Sequence, residues 1–303
     1  MRPGRRAMTL RRLSAGMLVL ASVVFLPGMA ETALAQSSPQ PSADGADTTI
    51  VLSFAPPVDR PLLLTKRLER NLPFGTIVRT AHYRLRFTPM QRGYRLRWEQ
   101  VDNRLDGPPE FLRVAGLGDE LLDNETLTIS LANDGTILGV TEAPGRQQRL
   151  QEAIARLKLD PAFTRLPPER QKALAVQIDH IGAMDAAERA DWVIAGIAPL
   201  FDLAGQTIVD RHVRGRTGSD YRLDASDNGS LLALTAQEHK ALGKDRAIDR
   251  AIAIHVSRAD GVTRRFDRHV VTSVAGQAQT SDEVITLDEW PADPNSPAHN
   301  SPE

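Results

Sequence analysis

The chain has 303 residues, of which 41% are apolar and 25% charged, with no cysteine and a formal net charge of −1. This composition excludes a chain that is disordered throughout, a disulfide-stabilised mini-protein and a metal site built on thiolates. A charge so close to zero also gives no support for a nucleic-acid partner, because nucleic-acid binding needs a strong basic excess.

The first 35 residues have the three parts of a cleavable signal peptide. Five arginines precede an apolar stretch at 13–26, and Ala33-Leu34-Ala35 fits the small-x-small pattern of a cleavage site. This stretch is shorter than the roughly 20 residues that span a bilayer, and no later segment reaches that length. We therefore expect cleavage after Ala35, export to the periplasm or beyond, and no membrane span in the mature chain. Without a cysteine to carry lipid, we expect no lipid anchor.

Between two polar tails lies one β-rich domain. Residues 36–47 and 291–303 are rich in proline, serine, asparagine and alanine, which predicts a disordered linker and a disordered tail. The domain between them is predicted over 48–290. It divides into a first β half at 48–143, a helical insertion at 144–204 and a second β half at 205–290.

The first β half begins with a predicted hairpin. Polar and apolar residues alternate over 82–87 and 94–98, which favours two strands that each have one apolar face. Pairing Phe87 with Tyr94 brings the two apolar faces together. The opposite face then carries a block of four arginines, with Arg86 opposite Arg95 and Arg84 opposite Arg97.

A second hairpin is predicted around Asp134-Gly135. These residues favour a two-residue turn, which would place Leu131 opposite Leu138 and Ile129 opposite Val140.

The helical insertion is predicted to contain three helices. Apolar residues recur at helical spacing after Gly145, and Pro167-Pro168 opens a second helix that runs to about Gly182. Asp185 and Glu188 form the pattern of a capping box at the start of the third helix, which is predicted to reach about Leu203.

Two further hairpins are predicted in the second β half. A turn at Asn228-Gly229 places Leu223 opposite Leu234 and Ala225 opposite Leu232. A three-residue loop ending at Gly261 places Ile254 opposite Phe266.

These elements predict an α+β fold. The expected architecture is a curved, mostly antiparallel sheet of about eleven strands, half-barrel-like, with a central three-helix insertion against its concave side. This layout resembles, in architecture and compartment alone, the periplasmic half-barrels that carry lipoproteins or lipids.

Charge is distributed unevenly along the first β half. Residues 60–104 carry a net charge of +8, and residues 106–142 carry −7. Because like charges that face each other across a sheet repel, the four-arginine block needs a neutralising partner. One alternative is that the acidic stretch at 106–125 folds over the block. The other is that an acidic envelope protein or a lipid headgroup docks there, with Arg84, Arg86, Arg95 and Arg97 as partner-binding residues.

A second set of arginines lies on the apolar face of the last predicted hairpin. The expected register places Arg268 opposite Ile252, Arg264 opposite Val256 and Arg250 opposite Val270. Such a face suits a cavity for an amphiphile with an anionic head. The alternative is a rim, where arginine stems lie on apolar surface and their heads reach water. The candidate ligand-binding residues are Arg250, Arg264, Arg268, Phe266 and Ile254.

Motifs for catalysis are missing from the sequence, which has neither a nucleophile motif nor a glycine-rich phosphate loop. Asp210 and His212, like Asp267 and His269, have the spacing that presents both side chains on one strand face. If the two pairs met, they would form a His₂Asp₂ metal site.

The leading hypothesis is therefore a non-enzymatic carrier of an apolar or amphiphilic ligand, with no cofactor. The alternatives are an assembly or interaction factor that uses the arginine block and, third, a metal-dependent hydrolase.

Overall fold

The computed structural model describes residues 49–58, 60–72, 75–108, 112, 126–227, 229–243, 245–274 and 276–291. The predicted signal peptide, the linker after it and all but the first residue of the predicted C-terminal tail lie outside the described residues.

Eleven antiparallel strands form one curved, open sheet, and two short strands pair separately. This confirms the predicted α+β fold with a half-barrel-like sheet of about eleven strands. In chain order the strands are β1 (Ile50–Val51), β2 (Pro61–Leu72), β3 (Gly75–Met90), β4 (Gly93–Asp106), β5 (Leu127–Leu131), β6 (Ile137–Thr141), β7 (Thr207–Ile208), β8 (His212–Arg214), β9 (Asp220–Asp227), β10 (Leu231–Ala241), β11 (Arg246–Ser257), β12 (Thr263–Val274) and β13 (Gln277–Glu289).

The large sheet consists of two meanders that meet at its centre. Its strand order is β6-β5-β4-β3-β2-β13-β12-β11-β10-β9-β8. All pairs of neighbouring strands but one are therefore also consecutive in the chain. The exception is the pairing of β2 with β13, in which Leu64 lies opposite Leu287 and Lys66 opposite Ile285. We call this pairing the seam.

The main core lies on the concave face of the sheet. Alternation along the strands turns apolar residues such as Leu64, Leu85 and Ile254 inward, where they are buried. Phe201 packs edge-on against Phe54 with a centroid distance of 5.8 Å. Burial of this apolar layer is the main favourable term in folding.

Four α-helices and a 3₁₀ turn form the described insertion, one short helix more than predicted. Its elements are α1 (Arg146–Leu159), α2 (Pro161–Thr164), α3 (Pro168–Ala183), α4 (Ala186–Ile197) and the 3₁₀ turn (Ala198–Leu200). The capping box of Asp185 and Glu188 is present at the start of α4.

Most of the insertion packs around its own core, which corrects the expectation that it lies as a whole against the concave side. Leu157, Phe163 and Ile178 belong to a second apolar cluster, separate from the main core. The main core instead receives Ile197 at the end of α4, the 3₁₀ turn and the segment after it. The three earlier helices pack mainly on one another because their apolar stripes face each other.

A buried carboxylate fastens the segment after the 3₁₀ turn. Asp202 accepts hydrogen bonds from the backbone and hydroxyl of Thr217, at 2.7 and 2.9 Å, and from the Tyr221 hydroxyl at 2.8 Å. Burial, followed by the Asp202 charge, raises the pKa of Tyr221. Asp202 thereby joins the segment after the 3₁₀ turn, which packs on the concave face, to β9.

The first hairpin is shifted by two residues from the predicted register. Phe87 lies opposite Leu96 instead of Tyr94, because the strands continue to a tight turn between Met90 and Gly93. A two-residue shift leaves the same side chains on each face, so alternation alone does not distinguish the two registers. Across the hairpin, Arg86 faces Arg97, Arg84 faces Glu99 and Arg95 faces Thr88.

Bulges displace parts of two other hairpins, and such irregularities insert one residue on one strand. Leu131 lies opposite Ile137, not Leu138, whose side chain is 64% exposed, although the predicted pair of Ile129 and Val140 is confirmed. In the next hairpin the predicted pairing of Leu223 with Leu234 is confirmed. Beyond its bulge, however, Ala225 lies opposite Ala233 instead of Leu232.

Candidate functional site

The concave face changes from apolar to charged along the strands. Ile254 and Phe266 lie opposite each other in a row of the main core. Two residues further along β12, about 7 Å away, Arg268 lies opposite Glu283. One row further still, Ser281 of β13 lies opposite Arg70 of β2. Charged groups therefore begin where the apolar core ends.

Glu283 lies at the centre of this charged region. Its side chain is 5% exposed, and Lys66 Nζ lies 2.7 Å from Oε1. Arg268 Nη2 donates to the other carboxylate oxygen, and its guanidinium lies 5.8 Å from the centroid of the Phe266 ring. Burial raises the pKa of Glu283, but Lys66 and Arg268 outweigh burial and hold the pKa below its usual value.

Two guanidinium groups of this charged region, those of Arg70 and Arg250, retain donors that the described residues do not satisfy. Arg70 Nε is buried and has no hydrogen-bond partner among the described residues. Burial lowers the pKa of Arg70, Glu283 raises it, and Arg268 lowers it further. Arg250 Nη1 donates to Glu238 at 2.9 Å, but Arg250 Nε is also buried and has no partner within the described part of the chain. An unmade hydrogen bond of this kind costs about 1–3 kcal/mol.

Apolar side chains lie among these charged groups. Leu68, Ile248 and Val270 project from the same face as the arginines and are partly exposed. The surface therefore offers both cationic donors and apolar contacts. We call it the concave basic cluster, comprising Lys66, Arg70, Arg250, Arg268 and Glu283.

The predicted ligand-binding residues divide into two groups. Arg250 and Arg268 lie on adjacent strands of the concave basic cluster, with the predicted neighbours Val270 and Ile252 confirmed. Arg264 does not join them, because a bulge sets Thr263 opposite Val256 and the Arg264 guanidinium bonds Asp260 in the loop.

The other two predicted ligand-binding residues belong to the core. Ile254 and Phe266 are opposite each other as predicted, and they are 1% and 3% exposed. Their side chains are enclosed by other apolar residues of the main core, next to the concave basic cluster, and do not line its surface.

Sequence reasoning missed three members of the concave basic cluster. Lys66 and Arg70 continue the alternation of Leu62 and Leu64 along β2, and this pattern places all four side chains on one face. Glu283 follows the same rule on β13. The missing information was the seam, which joins two strands some two hundred residues apart.

A different arginine group surrounds a depression on the convex face. Arg84, Arg86, Arg97 and Glu99 line a volume of about 220 Å³. The guanidiniums of Arg84 and Arg97 each lie 4.0 Å from the Glu99 carboxylate. We call the four predicted partner-binding residues, Arg84, Arg86, Arg95 and Arg97, the convex arginine patch.

One wall of this region is aromatic. The Arg84 guanidinium lies 4.3 Å from the centroid of the Trp290 ring, close enough for a cation–π interaction. The acidic stretch expected to cover the patch lies largely outside the described residues. Its first residue, Asp106, pairs with Arg104 of the same strand.

The strand order separates the two Asp-x-His pairs, so they do not form the His₂Asp₂ site that the third hypothesis requires. Three strands separate β8, which carries His212, from β12, which carries Asp267 and His269. His269 Nδ1 instead lies 2.6 Å from Asp282, while Asp267 accepts from Arg265. Across the described part of the chain, no three or more histidine and acidic side chains are grouped as metal ligands.

Among the described helices, none has the length and apolar content needed to cross a membrane. No family model matches the chain, and no curated protein matches it. The chain is similar to a solved structure, that of DynF from the dynemicin biosynthesis pathway of Micromonospora chersina, at 10% identity and a TM-score of 0.19. The similarity covers 86% of this chain and 93% of that one, and at so low a TM-score it carries no argument about function.

Proposed function

We propose that the protein is an exported, non-catalytic carrier that binds an amphiphilic anion on the concave basic cluster. One observation carries this proposal: buried, unpartnered N–H groups of Arg70 and Arg250 occur beside partly exposed apolar side chains. The residues on this surface supply the two kinds of contact that an amphiphilic anion needs.

The anionic group is expected to bind to the guanidiniums. Arginine presents planar donors that match carboxylate and phosphate oxygens, and charge-assisted hydrogen bonds are stronger than neutral ones. A ligand oxygen accepting from Arg70 Nε would satisfy a donor that has no partner in the described protein. The apolar part would pack on Leu68 and Val270, beside the charged row.

Export supplies the second part of the proposal. The basic, apolar and small-x-small segments at the start of the sequence support cleavage after Ala35 and a location in the periplasm or outside the cell. An amphiphile that crosses an aqueous envelope needs a protein to shield its apolar part. This requirement fits a carrier.

Calorimetric titration with laurate tests the anionic and apolar requirements together. We expect laurate to bind the mature protein and dodecanol, which has the same chain without the charge, to bind at least tenfold more weakly. Absence of laurate binding, or equal affinity for dodecanol, would overturn the proposal.

A matched pair of variants tests the location. Arg70→Met keeps an unbranched apolar stem but removes the charge, and we expect it to weaken laurate binding at least tenfold. Arg264→Met is the control, because Arg264 is also partly buried on the sheet but bonds Asp260 outside the cluster. Equal affinities for the two variants would contradict the assignment of the site.

A further inference from the structure

We propose that the convex arginine patch is a docking surface for an extended acidic segment of a partner protein. This proposal does not depend on ligand binding, because the patch lies on the opposite face of the sheet from the concave basic cluster.

The patch has an excess of positive charge. Three guanidinium groups, those of Arg84, Arg86 and Arg97, line a depression with one carboxylate, Glu99, and Arg84 and Arg97 share that carboxylate at 4.0 Å. Arg95 extends the patch along β4, where it lies opposite Thr88. That separation is too long for a hydrogen bond, so Glu99 does not satisfy the donors of either side chain. Arg86 and Arg95 have neither an ion pair nor a side-chain hydrogen bond to any described residue.

The spacing of the arginines matches an extended peptide. Arg84 and Arg86 are two residues apart on β3, and Arg95 and Arg97 are two residues apart on β4. Each pair therefore repeats at about 7 Å along its strand. Alternate side chains of an extended peptide have the same repeat, so acidic residues at positions i and i+2 would meet successive arginines.

The shape of the patch favours a peptide over a lipid surface. The depression is recessed and its volume is about 220 Å³, which suits inserted carboxylate side chains. The described side chains between the four arginines are polar, such as Glu99 and Thr88. The large apolar groups nearby, Trp290 and Met90, lie at the edge of the patch.

Trp290 holds one side of the patch in place. The Arg84 guanidinium carbon lies over its ring, 4.3 Å from the centroid, in cation–π contact. Binding of a carboxylate by Arg84 would alter the surroundings of the indole.

Fluorescence anisotropy with two labelled heptapeptides tests the spacing. One peptide alternates serine with three glutamates, and the other has the same composition with its glutamates contiguous. We expect the alternating peptide to bind at least threefold more tightly at low salt. Equal binding of the two peptides would overturn the extended geometry.

Two double variants test the location with the same loss of charge. Arg86→Gln with Arg97→Gln is expected to weaken peptide binding at least tenfold. The control pair is Arg104→Gln with Arg265→Gln, because both arginines are exposed convex-face residues already paired with aspartates. The control is expected to stay within twofold of the wild type, and an equal loss in both doubles would refute the patch as the docking surface.

Two further measurements separate the remaining explanations. Vesicles containing anionic lipid are expected not to compete with the alternating peptide, and full competition would indicate a lipid surface instead. Laurate binding is expected to be unchanged in the Arg86→Gln, Arg97→Gln protein. Failure of the peptide assay therefore leaves the carrier proposal untouched, and the reverse also holds.

Discussion

The two faces of one sheet carry clusters of similar composition in different environments. In the concave basic cluster, Glu283 is 5% exposed and has ion pairs at hydrogen-bonding distance. In the convex arginine patch, Glu99 is 34% exposed and its ion pairs are 4.0 Å long. Coulomb interactions are strong where water is excluded and weak at the surface. Burial therefore makes the Glu283 ion pairs a structural contact and leaves donors that no described residue satisfies on the neighbouring Arg70 and Arg250, whereas the donors of the convex arginine patch face solvent.

The clusters also differ in what they connect. Lys66 and Glu283 lie on β2 and β13, so their ion pair crosses the seam between the two meanders. Glu99 joins residues of a single hairpin. Loss of the concave ion pair should therefore affect the joining of the two halves, whereas loss of the convex one should affect only local side chains.

The largest difference in stability between the two clusters is expected when Glu283 and Glu99 are each neutralised. Glu283→Gln leaves the largely buried Lys66 and the partly exposed Arg268 beside a neutral amide, and we expect a loss of about 3 kcal/mol in the free energy of unfolding. Glu99→Gln removes an exposed pair and should cost less than about 1 kcal/mol. Urea denaturation measures both, and equal losses would show that burial does not separate the clusters.

Acid should reduce the difference in the free energy of unfolding between the wild type and Glu283→Gln. Because the folded protein holds the pKa of Glu283 below its unfolded value of 4.5, ionised Glu283 stabilises the fold above about pH 4.5. That stabilisation is lost as the pH falls through the folded-state pKa. The stability gap between wild type and Glu283→Gln should therefore narrow in acid, as measured by urea denaturation at pH 7 and near pH 3. A constant gap would contradict the assigned ion pair.

Salt should weaken binding at the convex arginine patch more than binding at the concave basic cluster. Exposed charges are screened over about 8 Å at physiological ionic strength, and buried ones much less. Raising sodium chloride from 50 to 500 mM should weaken the alternating peptide about tenfold and laurate less than about threefold. The anisotropy and calorimetric assays measure these changes, and equal salt dependence would place both ligands at the surface.

The smallest expected effect concerns the stability of the convex patch. Arg86→Gln should change the free energy of unfolding by less than about 0.5 kcal/mol, because Arg86 is exposed and has no ion pair to any described residue. Arg104→Gln is the matched control. A loss above 1 kcal/mol for Arg86→Gln alone would show that the patch has a structural role.

Sequence patterns predicted the faces of the sheet better than its registers. Ile129 with Val140 and Ile254 with Phe266 were predicted correctly, since glycine-containing turns anchor both hairpins. The register of Phe87 was wrong by two residues, and a shift of two preserves every face.

The candidate site was predictable only where its contacts are local. Arg250 and Arg268 belong to one hairpin, so alternation and a loop rule placed them together. Arg70 and Glu283 come from strands far apart in the chain, and a single sequence contains no pattern that pairs those strands. The same limit applies to Trp290, which meets Arg84 across the sheet.

The seam has a consequence for how the protein acquires its structure. The strands on either side of it can form from neighbouring hairpins, but pairing β2 with β13 closes a loop of roughly two hundred residues. Until β13 arrives, one long edge of β2 stays open, and such edges promote association between chains. We expect the backbone amides of β2 and β13 to gain protection from hydrogen exchange last during refolding. The slowest step would then be the one that determines how much of the protein aggregates.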